Sequence, residues 1–177
     1  MMFPGEAATP VNSRLQRDTA LAVALAALSG VSLGVIGASD GWAGRGARVI
    51  IGLSMGVPVY WTATLVVVLF AVTLGWLPSS GIGSWRQLVL PVMVLAFHTL
   101  GAIARVVQIS VHEVREMLFV RTARGKGLPD GMVLRRHVLR VALPPAVTVI
   151  ALQTGFLLGG AVIIESVFVR PGVGRLL

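Results

Sequence analysis

Few side chains in this sequence can do chemistry, and the most unusual of them is His98. It stands inside an uncharged run from Gln87 to Ala104, where a titratable group is expensive and by default marks a substrate or ion path. A lone histidine there also has a structural use, as a hydrogen-bonding partner for a neighbouring helix. Gln153 lies in a second uncharged run, Gln108 just beyond the first, and Glu165 closes the second. An amide in such a place suits an interhelical hydrogen bond or a polar pore wall. Enzymatic chemistry needs more than this. The sequence has no cysteine, no Gly-x-x-x-x-Gly-Lys-Ser/Thr phosphate loop and no cluster of potential metal ligands. The residues therefore define no catalytic site, no metal site and no bound cofactor.

The elements that must carry these groups are apolar. Of 177 residues, 55% are hydrophobic and 12% charged, whereas soluble domains carry about 25% charged residues. Uncharged runs cover residues 19–39, 49–85, 87–104 and 141–164, and a helix crossing a bilayer needs about 20 such residues. The expected fold is all-α, a polytopic transmembrane helix bundle of about four spans at 19–39, 49–70, 88–107 and 141–164. Residues 1–18 read as an external irregular segment. The run 19–39 exceeds the 7–15 residues of a signal-peptide core. Pro58 should distort the second span through its missing N–H, and Pro91 is tolerated in the first turn of the third. Tyr60, Trp61, His98 and Gln153 are the candidates for facing a pore. Pairs of glycines four apart (Gly30/Gly34, Gly52/Gly56, Gly155/Gly159) predict close helix packing.

Charge orients the spans. The formal net charge is +8, a balance that can signal nucleic acid. Here, however, eight basic residues and three acids lie between Arg105 and Arg140, flanked by the apolar runs. That is the positive-inside pattern, so no nucleic-acid partner is expected and the block is placed in the cytoplasm. Arg45 and Arg48 then face inside as well. Arg14 and Arg17 fall outside, against the rule.

Residues 109–140 form more than a connector. Val111, Val114, Met117, Leu118 and Arg121 have helical spacing, Gly127 and Pro129 should end that helix, and Met132–Leu139 form a second short run. Two short helices around a Gly-Leu-Pro turn make a compact knob. Its basic residues suit anionic membrane lipid or a partner protein.

The knob Arg121-Thr122-Ala123-Arg124-Gly125-Lys126-Gly127-Leu128, followed by Arg136-His137-Val138-Leu139-Arg140 and Leu143-Pro144, resembles the signature region of ABC transporter permease subunits. The similarity is greatest to the dipeptide/oligopeptide/nickel importers. Leu74-Gly75-Trp76-Leu77-Pro78, Leu88-Val89-Leu90-Pro91, and the stretches Gly159–Phe168 and Pro171–Leu177 resemble further segments of that subgroup, so the likeness covers 19–177. It implies a bacterial or archaeal inner or plasma membrane location and an ATPase-coupling role for Arg121, Thr122, Ala123, Arg124, Lys126, Gly127 and Leu128. The implied partners are a second permease subunit, two ABC ATPase subunits that bind the ATP, and an external solute-binding protein. The implied task is ATP-driven import of peptides or related small solutes.

Gly125 stands where the subgroup usually has Ala, Val141 where Asn is frequent, and Arg170 where Trp is common. Complete members of the subgroup resemble six-span subunits, which implies that this chain is a fragment or a truncated product. The rival readings are a truncated, non-transporting membrane protein and a membrane enzyme or secondary transporter built on His98 or Glu165.

Overall fold

The computed structural model describes residues 10–79, 85–160 and 168. Every regular element among them is helical. The helices are α1 (Pro10–Gly37), α2 (Trp42–Gly56), α3 (Val59–Val67, extended by a π-helical turn, Val68–Thr73), α4 (Arg86–Arg115), α5 (Leu118–Gly125), α6 (Asp130–Val133), α7 (Leu139–Ala142) and α8 (Pro144–Gly160). A π-helical stretch, Leu134–Val138, joins α6 to α7.

Helix α4 is the axis of the packing, and α1 lies along it. The reason is the pair Gly30/Gly34. A Cβ at Gly34 would stand 2.6 Å from both the Ala104 carbonyl oxygen and Val107 Cβ, and one at Gly30 would stand 3.0 Å from the Leu100 oxygen. Two missing side chains let the helix backbones meet. Gly52, Gly56 and Gly155 do not act this way: each has open space where a Cβ would sit. The main core collects Ala26, Ile103, Val107, Val111, Val114, Val120, Val133 and Val138 from α1, α4 and the helices after it. A smaller core joins Ala63, Leu90, Val94 and Phe168.

Several boundaries differ from those expected. Helix α1 begins at Pro10, so residues 10–18 are helical where an irregular segment was expected. Proline suits a first helical position, where a backbone N–H would find no partner within the helix, so lacking one costs nothing. Residues 1–9 lie outside the described residues. The span expected at 49–70 is two helices meeting at 104°. Val57 precedes a proline and is extended (φ −90°, ψ 128°). Pro58, also extended at ψ 139°, then starts a new helix, so the chain turns rather than kinks. Helix α4 begins at Arg86, which puts Pro91 beyond the first turn.

Among the described residues, helix α4 alone is long and apolar enough to cross a membrane. Counting the bent pair α2–α3 and the 51° bent pair of residues 130–142 and 144–156 as one span each gives up to three. In α1 the described apolar stretch is Val23–Gly37. The fold is therefore all-α with at least one and up to three membrane-spanning helices among the described residues. The end of the expected fourth span, residues 161–164, lies outside the described residues.

Candidate functional site

The basic knob starts with a break. The spacing from Val111 to Arg121 reads as one helix, yet α4 stops at Arg115 and Met117 is extended (φ −67°, ψ 146°) before α5 begins. At roughly 100° per residue, Val114 and Val120 would point well apart on a straight helix. Folding back at Met117 buries both, at 4% and 0% exposure.

Helix α5 is sharply two-sided. Val120 and Ala123 face the core, while Leu118, Arg121, Thr122 and Arg124 are exposed. The chain then turns at Gly127, whose φ of +78° is a left-handed conformation that favours glycine. The Lys126 N–H donates to the Thr122 carbonyl (3.1 Å) and the Gly127 N–H to that of Arg124 (2.9 Å), closing the end of α5. Pro129 begins the return, its carbonyl accepting from the N–H groups of Met132 (2.9 Å) and Val133 (3.1 Å). Leu128 packs half-buried against the main core.

Two ion pairs brace this elbow. Arg121 Nη2 donates to Glu116 Oε2 at 3.0 Å, and Arg124 Nε donates to Asp130 Oδ1 at 3.2 Å, bridging α5 and α6 across the turn. Both pairs are solvent-exposed, so each adds about 0–1 kcal/mol and serves mainly to orient its side chains. The structure thus gathers Arg121, Thr122, Arg124, Lys126, Gly127 and Leu128 on one elbow. Ala123, in the same set, turns its side chain inward.

The four pore candidates are not gathered in this way. His98 is half-buried on α4, and its Nε2 lies 3.1 Å from Thr62 Oγ1 on α3. Such a contact joins α3 to α4 through side chains, as polar residues on apolar helices commonly do. Tyr60 and Trp61 are 60% and 63% exposed on α3, and Gln153 is half-buried on α8. A cavity of about 520 Å³ lies elsewhere, lined by residues including Ala71, Trp76, Pro78 and Arg86. Glu165 lies outside the described residues. Among the described residues no group of three or more His, Asp and Glu is placed to hold a metal ion.

Three contributors escaped the sequence reading. Thr62 is one, because a threonine in an apolar helix carries no signal of its partner. Arg48 and Arg115 are the others. Arg48 Nη1 donates to the carbonyls of Gly37 (2.8 Å) and Ser39 (2.9 Å), and Arg115 Nη1 donates to that of Ala38 (2.8 Å). A count of basic residues places them on the inner side without saying what they touch.

Among the described residues, apolar helices carry a basic elbow braced by two ion pairs. Residues 30–177 match the family model described as the binding-protein-dependent transport system inner membrane component. The chain belongs to that family, which is one of transport subunits and not of catalytic domains. It is 37% identical over 185 residues to a protein of Brucella abortus (strain 2308) provisionally named a peptide transport system permease protein, covering 95% of this chain and 59% of that relative. It is 37% identical over 161 residues to the glutathione transport system permease protein GsiC of Pectobacterium atrosepticum, covering 90% of this chain and 53% of the relative. Against GsiC of Escherichia coli (strain K12) the identity is 38% over 154 residues, 86% of this chain and 50% of the relative. The chain thus spans about half the length of the curated relatives it matches.

Proposed function

We propose that this chain contributes to a permease subunit forming half of a translocation pore for ATP-driven import of peptides or related small solutes. The observation that carries this reading is the elbow at residues 121–128. It presents Arg121, Thr122, Arg124 and Lys126 outward from a helix whose other face is locked into the bundle. Such an elbow is rigid enough to be pushed. An ATPase subunit gripping it would move the main core through Val120 and Ala123.

The partners in this reading are a second permease subunit, two ATPase subunits that bind and hydrolyse ATP, and an external solute-binding protein that delivers cargo. The location is a bacterial inner membrane, crossed several times, with the elbow on the cytoplasmic side. The names of the relatives point to peptide cargo, and glutathione is itself a small peptide. Four crossings remain part of the proposal, with α1 and the three apolar units after it supplying one each.

The test is the assembled transporter in proteoliposomes, with uptake of a radiolabelled peptide and ATP hydrolysis measured together. Gly127→Trp is expected to leave membrane insertion intact and to lower uptake per ATP hydrolysed. Equal uptake per ATP in the two proteins would remove the elbow from the coupling path.

A further inference from the structure

The last carbonyls of a helix have no partner within it and carry the negative end of its dipole. At the end of α1 the carbonyls of Gly37, Ala38 and Ser39 each accept a hydrogen bond from a guanidinium, and both guanidinium groups come from other helices. Arg48 on α2 takes Gly37 and Ser39, while Arg115 takes Ala38 from 77 positions away. Both side chains are half-buried.

Arg115 is also the last residue of α4, separated from the first residue of α5 only by Glu116 and Met117. The link between them is short and bonded. The Glu116 N–H donates to the Glu113 carbonyl (3.2 Å), the Met117 N–H to that of Val114 (3.1 Å), and Glu116 holds Arg121 on α5. Ala38 beside this clamp belongs to the same apolar core as Val114, Val120 and Ala123. A displacement of α5 therefore meets the Arg115–Ala38 bond before it can slip past α1.

We propose that Arg115, assisted by Arg48, is a positioning residue that makes the end of α1 and the α5 elbow move as one body. This rests on the elbow being the ATPase-binding element. Arg115 acts by holding α1 to the elbow. In a transporter driven from the elbow, the clamp carries the stroke into α1 and, through the Gly30 and Gly34 contacts, along α4.

The absence of cysteine makes the experiment direct. Spin labels at Asp40→Cys, on the exposed turn after α1, and at Gly131→Cys, with open space where a Cβ would sit, report the distance between α1 and the elbow region. The measurement uses the assembled complex with its ATPase subunits, without nucleotide and with ATP plus vanadate. The expected result is one narrow distance, unchanged by nucleotide, in the Arg115 protein. In Arg115→Met the distance shifts by about 2 Å or more, the scale of helix shifts at interfaces, and only when nucleotide is bound. Arg115→Lys, which keeps a cationic donor, restores the single distance. A nucleotide-independent change in Arg115→Met would reduce the clamp to a stability device and overturn the proposal. So would an unchanged distance, or a Lys variant that slips like Met. Failure of the ATPase subunits to bind the labelled wild-type chain would instead overturn the coupling reading and take this inference with it.

Discussion

Gly34 and Val107 meet so closely that a side chain at position 34 would place its Cβ 2.6 Å from Val107 Cβ, with the Ala104 carbonyl oxygen equally near. One of those neighbours is backbone within a helix and cannot swing away. Gly34→Ala should therefore force α1 off α4 and destabilise the bundle by about 1–3 kcal/mol, the usual range for overpacking. Gly30→Ala, with contacts of 3.0–3.1 Å, should have a smaller effect of the same sign. Gly52→Ala meets open space and should be neutral or stabilising. Thermal unfolding of the three variants in one detergent orders them, and equal midpoints would mean that α1 is not seated as described.

The His98–Thr62 pair makes a second contrast. A hydrogen bond between membrane helices is worth about 0.6 kcal/mol on average, so a double-mutant cycle of His98→Phe and Thr62→Val should return a coupling of that order. His98→Asn, which keeps a polar group at the site, should leave peptide uptake in the assembled transporter within a few-fold of wild type. Complete loss of uptake with stability retained would favour His98 as part of an ion path.

Gly125 and Gly127, two residues apart, should respond oppositely to the same substitution. Gly125 ends α5 with open space around its Cα and without a positive φ, so Gly125→Ala should stabilise the elbow by about 0.5–1 kcal/mol. Gly127 has φ +78°, and Gly127→Ala should cost about 1–2 kcal/mol because an L-residue is strained there. Backbone hydrogen exchange at Thr122–Lys126 reads both changes locally. Protection should rise in the first variant and fall in the second, and movement in one direction for both would contradict the turn geometry.

What the residues disclosed by themselves follows from the range of the forces involved. Apolar runs and the crowding of basic residues at 105–140 are local, summed quantities, and they led to helices and to the elbow. The Gly-Leu-Pro turn was legible because Gly127 and Pro129 are constrained by their own covalent structure. The 104° turn at Pro58 was not, because a proline between apolar stretches permits a kink or a complete break, and packing decides which. Likewise the break at Met117 has no turn residue to announce it. It exists so that Val114 and Val120 can share one core, which is a tertiary requirement. The Gly30/Gly34 pair looks the same in sequence as Gly52/Gly56, and only the placement of α4 distinguishes them. Partners such as Thr62 for His98, or Ala38 for Arg115, lie 36 and 77 positions away and leave no periodic trace.

Lys126 is the chain's single lysine and stands exposed on the elbow, which makes the sidedness of the proposed coupling surface measurable with one reagent. An impermeant amine-reactive label should modify Lys126 in inside-out vesicles and spare it in intact cells. The N-terminal amine is the competing target, so Lys126→Gln serves as the subtraction control: the signal it removes belongs to the elbow. The basic residues around it make the expectation physical, since translocating Arg121, Arg124, Lys126, Arg135, Arg136 and Arg140 across a bilayer runs against the positive-inside bias. Labelling of Lys126 from outside intact cells would put the elbow beyond the reach of any ATP-hydrolysing subunit and would remove the coupling reading, while leaving the packing of α1 on α4 untouched.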